Sequence, residues 1–164
     1  MSVYAEEKLI GQARQLAAEY RRTMGKPLPG ISSEIALHDA VRLLSLSRAD
    51  GSVGGIDAID PERGNKNIQI KSRTIFDETK SGQRIGQLNV EQSWDSVLLV
   101  LMDDEYEPYE IYEAERDELL EYMRKSSSGR ARRGALSVAR FKIIGHLVWA
   151  RDGGLEPEIW NNQS

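Results

Sequence analysis

The chain has 164 residues, 22 lysines and arginines against 26 aspartates and glutamates, a formal net charge of −4 and no cysteine. This length is typical of one domain whose core folds without a disulfide or a structural metal. The absence of cysteine excludes disulfides, thiolate zinc sites, iron–sulfur clusters and cysteine nucleophiles, and two histidines exclude a histidine-rich metal site. An acidic first segment and the lack of an apolar run of about 20 residues predict a soluble, cytoplasmic protein without a signal peptide.

Two helices are predicted at the start of the chain. Apolar side chains recur every three or four residues over residues 3–24, and Gly25 is a suitable stop for this helix. A stiff connector containing proline and glycine then leads to a second helix. That helix begins at Ser32 or Ser33, both suitable N-caps, and ends near Leu46. Its small and apolar residues favour packing against a sheet.

Short strands follow in the pattern of a hairpin. Residues 56–60 and 67–72 are the two strand candidates, joined by a polar loop that contains proline and glycine. Residues 76–93 are polar and weakly patterned, which predicts a long surface loop with room for one helical turn. Residues 96–102 form an uninterrupted apolar run, typical of a strand buried on both faces. A further strand is predicted at residues 109–112.

The last third of the chain predicts two more helices. The first covers residues 114–125 and ends in a Ser- and Gly-rich break. The second covers residues 137–149, where an alternative division into a strand and a helix stays open. Residues 152–164 form a polar tail. The sequence therefore predicts a single mixed domain, α/β or α+β, over residues 1–151.

Charge is segregated along the chain. Residues 103–121 hold ten acids and one base, whereas residues 124–151 hold eight bases and no acid. One interpretation is two solvated faces that pair with each other or form a dimer contact. The other is a phosphate-binding face, which the net charge of the whole chain does not exclude. The basic residues that this second interpretation assigns to a nucleic-acid backbone are Arg130, Arg132, Arg133, Arg140 and Lys142.

A group of polar residues falls on the predicted hairpin. Asp57 lies on its first strand, and Gln69 and Lys71 point to one side of its second strand. Hairpin pairing brings Asp57 near that side, and Glu34 on the second helix supplies another carboxylate. Carboxylate oxygens are the ligands that Mg²⁺ prefers, and a bound metal polarises a phosphodiester while a nearby lysine assists deprotonation of water. The hairpin therefore predicts an oxygen-ligand metal site for phosphodiester chemistry.

Three neighbouring residues extend or rival this group. Arg73 continues the side of the strand that carries Gln69 and Lys71, so it is a candidate for contact with phosphate. Arg84 in the following loop is a second candidate. Asp60 is a weaker rival to Asp57 as the motif acid, because its offset turns it toward the opposite face of the strand.

The motif Gly55-Ile56-Asp57 followed by Gln69-Ile70-Lys71, behind a helix that carries Glu34, resembles the core of the PD-(D/E)xK nuclease superfamily. The resemblance covers roughly residues 30–112, and the C-terminal segment is similar to that of small uncharacterised bacterial members. It implies a restriction-endonuclease-like fold, a mixed central sheet flanked by helices. It also implies metal-dependent cleavage of DNA with Mg²⁺ or Mn²⁺.

Carried over residue by residue, the resemblance implies a role for each member of the group. Asp57 is the principal metal ligand, Gln69 the second motif residue with a carbonyl oxygen toward the metal, Lys71 the catalytic lysine, and Glu34 the helix acid. Gln69 stands where most members have an acid, although Gln-x-Lys occurs in Mrr-like restriction enzymes. Because cleavage of duplex DNA usually requires two sites, a homodimer is expected.

Two other functions stay open at this point. A nuclease fold without catalysis would bind DNA in a salt-sensitive way that survives loss of Asp57. An interaction protein would instead pair its acidic and basic segments between subunits and bind no nucleic acid. Convergence of Glu34, Asp57, Gln69 and Lys71 in a basic cleft would favour the nuclease and the DNA-binding module over the interaction protein.

Overall fold

The described residues form a mixed sheet of seven strands with helices packed on both faces. A computed structural model describes residues 3–50, 53–77 and 82–155. The strands are β1 (Ser47–Arg48), β2 (Ala58–Asp60), β3 (Lys66–Thr74), β4 (Ser96–Met102), β5 (Pro108–Glu115), β6 (His146–Ala150) and β7 (Gly154–Leu155). The helices are α1 (Val3–Met24), α2 (Ser32–Leu44), α3 (Arg116–Lys125), α4 (Gly129–Arg132) and α5 (Val138–Ile144).

The strands lie side by side in chain order, and one pair differs from the rest. β3 and β4 are parallel, whereas every other neighbouring pair is antiparallel. Parallel neighbours require a crossover, and residues 75–95 make it. β4 is buried along its whole length, which confirms the strand predicted from its apolar run.

The first two helices form as predicted, and both pack on one face of the sheet. α1 covers the predicted residues and buries the small Ala17 and Ala18 against α2 and the sheet. α2 stops at Leu44, just before the predicted end, because Ser45 takes a left-handed conformation with φ 55° and donates its N–H to the Val41 carbonyl. This closure satisfies a carbonyl that the helix end would otherwise leave without a partner.

Each face of the sheet has its own apolar core. On the first face, residues of α1 and α2 pack against Ile68, Leu98 and Val100. On the second face, α3 and α5 pack against Val97 and Leu99, the alternate residues of the central strand. β4 thus contributes to both cores, which is the physical reason for its uninterrupted apolar sequence.

The prediction of one helix over residues 137–149 is wrong. The segment divides into α5 and β6, as the alternative allowed, and Gly145 stands at the junction in an extended conformation. A Cβ at Gly145 would lie 3.2 Å from the Cβ of Ala114 on β5, so the chain passes too close to that strand for a larger residue. Pairing with β5 satisfies the backbone of the segment and covers an edge that a helix would leave open.

Two loop predictions also need correction. The segment predicted as a surface loop over residues 76–93 sends Ile85 and Leu88 into the second core, and its described part contains no helix. β7 extends the sheet into the predicted polar tail, whereas residues 156–164 lie outside the described part. In the described ranges, no helix has both the length and the apolar character needed to cross a membrane.

Candidate functional site

The predicted hairpin forms, but β2 begins at Ala58, so Asp57 lies just before the strand on which it was predicted, where β2 and β3 separate. Ala58 pairs with Ile68 at the last register position of β2 and β3, and Asp57 immediately precedes Ala58. Its N–H donates to the Ile68 carbonyl at 2.9 Å. Its Oδ2 accepts from the Ile70 N–H at 2.8 Å, so the carboxylate takes the place of a backbone acceptor. This bond fixes the Asp57 side chain against β3.

Gln69, Lys71 and Arg73 alternate along β3 and share one face of it, as the strand period predicts. They lie on the face of the second core, opposite α1 and α2. Their register partners on β4 are Val97, Leu99 and Leu101.

The Gln69 amide is held by its nitrogen. Nε2 donates to the Gly55 carbonyl and to Gln92 Oε1, each at 3.1 Å. Its Oε1 is buried, and no hydrogen-bond donor in the described residues reaches it. A buried oxygen without a donor is costly and calls for a ligand or another explanation.

Lys71 lies beside Arg73 under the crossover segment. Its Nζ donates to the Gln87 carbonyl at 3.4 Å. A Cβ on Gly86 would lie 3.4 Å from Lys71 Nζ and 3.9 Å from Arg73 Nη2, so the two cations meet beneath this glycine. Burial, together with the charge of Arg73, lowers the pKa of Lys71 despite the opposing attraction of Asp57. A larger fraction of Lys71 is therefore neutral and able to accept a proton than for an exposed lysine.

Glu34 and Lys71 both lie within electrostatic range of Asp57. Burial raises the pKa of Asp57 and Glu34 raises it further, while the Ile70 N–H and Lys71 act in the opposite direction. Glu34 is exposed in the first turn of α2, where a carboxylate is favoured by the helix dipole. The structure thus brings Glu34, Asp57, Gln69 and Lys71 to one end of the hairpin.

Asp60, the rival motif acid, has a structural role instead. Its carboxylate caps the turn Pro61–Arg63 and accepts from Arg63 Nε at 2.7 Å. Arg63 is buried and also binds Glu113 through both terminal nitrogens, at 2.8 and 3.0 Å. Glu113 is fully buried as well, so the prediction that the acidic run 103–121 is wholly a solvated face is wrong at this residue.

Part of the basic segment borders a groove next to Lys71. Arg132 and Arg133 line this groove, opposite residues 87–91 of the crossover, and Arg130 is exposed on the same short helix. Arg84 joins the crossover segment to the chain that follows α4, because its Nη1 donates to the Ala135 carbonyl at 2.8 Å. Gln87, whose carbonyl accepts from Lys71 Nζ, also lines the groove, so the lysine lies next to the groove.

Two other predicted phosphate contacts have partners within the chain. The Arg140 guanidinium lies 5.3 Å from the Tyr122 ring centre, and Lys142 lies 3.7 Å from Glu110 and 5.3 Å from the Tyr112 ring centre. The acidic run is largely neutralised inside the molecule as well. Its members within ion-pair distance of a lysine or an arginine are Asp103, Glu105, Glu107, Glu110, Glu113, Glu115 and Glu121.

Two residues of the site were missed from the sequence. Gln92 lies in the segment predicted as a polar loop, and nothing local distinguishes it from the glutamines around it. Arg116 fastens the same loop: it donates to the carbonyls of Val90, Gln92 and Trp94, and it stacks 4.6 Å from the Trp94 ring centre. A signal for Arg116 did exist, since it is the one base among ten acids.

The side chains near the hairpin that could bind a metal ion offer oxygen atoms from both carboxylates and an amide. Among the described residues, no three His, Cys, Asp or Glu side chains cluster as a metal site. The oxygens at the hairpin are two carboxylates and one amide, which suits Mg²⁺ because this ion binds few protein ligands and keeps several waters. No protein-family model matches the chain, and no curated protein is significantly similar to it.

Proposed function

We propose that the protein hydrolyses phosphodiester bonds of DNA with the aid of Mg²⁺ or Mn²⁺, on a restriction-endonuclease-like fold. The observation that carries the proposal is the placement of three groups where β2 and β3 separate: the Asp57 carboxylate, the half-buried Lys71, and Gln69 Oε1, which has no donor among the described residues. A carboxylate, a neutral oxygen donor and a proton acceptor on one face are what metal-assisted hydrolysis requires.

Asp57 and Gln69 are the residues that would hold the metal, with Glu34 as a further carboxylate. Gln69 Oε1 fits this role because a cation would satisfy a buried acceptor that otherwise has no partner among the described residues. A bound Mg²⁺ would polarise a phosphoryl oxygen, offset charge in the transition state and favour the ionised form of Asp57 against the effect of burial.

Lys71 acts on the attacking water. Its neutral amine accepts a proton from the water as the oxygen bonds to phosphorus, and its lowered pKa makes this form accessible. Arg73 lies beside Lys71, with its Nε and Nη1 donating to the Arg84 and Ser72 carbonyls, and would stabilise the negative charge that develops on the phosphoryl oxygens. Arg132 and Arg133 along the groove neutralise the flanking backbone. Cleavage of both strands requires two such sites, which favours a homodimer on the duplex.

A plasmid-nicking assay with Mg²⁺ or Mn²⁺ tests the proposal. We expect Asp57→Asn and Lys71→Met to reduce the cleavage rate by about 10²–10⁴-fold, the range for loss of a general base or comparable group. Lys26→Met, a change at an exposed lysine of the connector after α1, serves as the matched control and retains the wild-type rate. An inert wild type, or full activity in both site variants, contradicts the proposal.

A second function is favoured by one residue. Gln69 replaces an acid and so removes a negative charge from the metal site, which favours a nuclease-fold module that binds DNA without cutting it. Such a module shows salt-sensitive DNA binding by the wild type and by Asp57→Asn, with no nicking by either. The same two proteins, measured by gel shift and by nicking, separate the two functions.

A further inference from the structure

The contact between Gln69 and Gln92 reaches across the site from β3 to the crossover segment. Gln69 Nε2 donates to Gln92 Oε1 and to the Gly55 carbonyl, both at 3.1 Å. A primary amide has two N–H groups, so both of the donors on Gln69 are used.

These two acceptors determine which atom of the amide faces the site. The Gly55 carbonyl can only accept, so an oxygen placed against it would meet another acceptor, and the group turned toward it must be Nε2. Gln92 Oε1 accepts from the same nitrogen, which holds the amide in this orientation. With the nitrogen held twice, the Gln69 Oε1 is left directed away from both partners, buried and without a donor in the described residues.

Gln92 is itself held in place through its backbone. Its carbonyl accepts from Arg116 Nη1 at 2.9 Å, and the next residue, Ser93, donates to the Gly54 carbonyl at 3.0 Å. Gly55 closes the third side, since a Cβ there would lie 2.8 Å from Gln69 Nε2 and within contact of the Gln92 amide. The Gln69 nitrogen is therefore held by two acceptors beside a closely packed glycine, whereas its buried oxygen has no donor among the described residues.

We infer that Gln92 is a positioning residue that orients the Gln69 amide, so that its oxygen is presented to a divalent cation. The inference rests on the proposed function, because it assumes that a cation binds beside Asp57. It adds a residue from the crossover segment that the motif does not contain. It also explains how a glutamine serves at a position where an acid is commoner: an amide has to be oriented, whereas a carboxylate presents oxygen in either orientation.

Equilibrium binding of Mn²⁺, measured by electron paramagnetic resonance of the free ion, tests the role of Gln92 separately from catalysis. Gln92→Met removes the acceptor at similar size, and we expect Mn²⁺ affinity to fall by about 10- to 100-fold, the usual effect of losing a group that orients a metal ligand. Gln92→Glu keeps an acceptor in the same place and strengthens the bond from Gln69 Nε2. We expect this variant to bind Mn²⁺ at least as tightly as wild type and to retain nicking activity.

Gln12→Met, an exposed change on α1, is the control for a glutamine-to-methionine substitution. Wild-type affinity in Gln92→Met, or weakened affinity in Gln92→Glu, overturns the role of Gln92. The Mn²⁺ affinity of Gln92→Glu decides the question even if Gln92→Met does not fold. If the wild type binds Mn²⁺ and nicks DNA while Gln92→Met matches it in both, only this inference fails. If the wild type does neither, the proposed function fails, and the role of Gln92 fails with it.

Discussion

Asp57 and Lys71 carry opposite charges near each other, yet burial disfavours the charged form of both. The pKa of Asp57 is raised and that of Lys71 is lowered, so desolvation outweighs their mutual attraction. At neutral pH the folded state therefore holds these charges at a cost to its stability. Such a cost is typical of groups that are retained for chemistry and not for folding.

The Asp57→Asn variant measures this cost. Between the ordinary pKa of Asp57, 3.8, and its raised value in the folded protein, the native state binds more protons than the unfolded state. The stability of the wild type therefore falls as pH rises through this window, and the loss is complete above it. The amide does not ionise and keeps an oxygen for the Ile70 N–H. We expect the variant to be more stable than wild type at pH 7 and equal to it near pH 3.

Urea unfolding between pH 3 and pH 8 follows the difference in the free energy of unfolding. Asp104→Asn, at an exposed aspartate, is the control, and we expect it to track the wild type at every pH. If Asp57→Asn is less stable than wild type at pH 7, then the hydrogen bond and the Lys71 interaction outweigh desolvation, and the assignment of the pKa direction is wrong.

The sequence supported some residues of the site far better than others. Gln69, Lys71 and Arg73 follow from the two-residue period of a strand, which needs no tertiary information. Gln92 reaches the site only because the crossover folds back over β3, a contact between residues that are distant in sequence. Arg63 and Glu113 were missed for a similar reason: a buried ion pair looks like two ordinary surface charges until the chain brings them together.

At the level of elements, the turn before β2 is the part most constrained by the site. Gly55 has φ 73°, and a Cβ there would lie 2.8 Å from Gln69 Nε2. Gly64, in the hairpin turn, has a similar φ of 65° but no atom within 4 Å of its would-be Cβ. An alanine at either position would therefore carry the same backbone strain, but only the alanine at position 55 would be crowded by neighbouring atoms.

We expect Gly55→Ala to destabilise the fold more than Gly64→Ala. Each change carries about 1–2 kcal/mol for a left-handed residue with a side chain, and Gly55→Ala adds about 0.5–1.5 kcal/mol for each Gln69 or Gln92 hydrogen bond that the methyl group displaces. Gly55→Ala also weakens Mn²⁺ binding, because the new methyl group displaces the Gln69 amide, whereas Gly64→Ala leaves it unchanged. Equal unfolding free energies for the two variants contradict the crowding at Gly55.

Buried ions add a side-chain link between β2, β4 and β5. Arg63 binds Asp60 from β2 and Glu113 from β5, and Ser96 Oγ of β4 donates to Glu113 at 2.7 Å. Removing one charge from such a group leaves the other buried without full compensation, which costs more than the pair contributes.

Glu113→Gln is the variant that tests these buried ions. We expect it to lower the free energy of unfolding by about 3–5 kcal/mol, as measured by chemical denaturation. Glu105→Gln removes the same charge from an exposed pair with Arg22, where the expected loss is about 0.2–1 kcal/mol. A small effect of Glu113→Gln, no larger than that of Glu105→Gln, would show that the buried ions contribute little to the connection.

The elements that the sequence predicted well differ physically from the one that it did not. α1 and β4 are long, and their apolar residues keep one period throughout, so local pattern and tertiary packing agree. Residues 137–149 change from a helical to a strand period at Gly145. What decides that change is the open edge of β5, which is outside the segment itself.

On the scale of the whole molecule, the net charge hides an uneven distribution. Most of the acidic run pairs with bases from other segments, such as Asp103 with Arg151 at 2.8 Å. The groove beside Lys71 keeps Arg132 and Arg133 exposed. The pairing inside the chain lowers the capacity of the acidic and basic segments to join two subunits, and it leaves positive potential concentrated at the proposed DNA path.

The salt dependence of DNA binding tests this distribution. Each phosphate that the protein no longer neutralises reduces the slope of log affinity against log salt by about 0.9. We expect a double variant, Arg132→Gln with Arg133→Gln, to weaken binding and to flatten the slope by that amount for each of the two arginines that binds a phosphate.

A second double variant, Arg140→Gln with Lys142→Gln, removes the same charge from residues that are engaged with Tyr122, Tyr112 and Glu110. It leaves the slope unchanged, because these residues are not at the groove. Equal slopes for the two variants would mean that the protein responds to total charge and that the groove is not the path of the DNA.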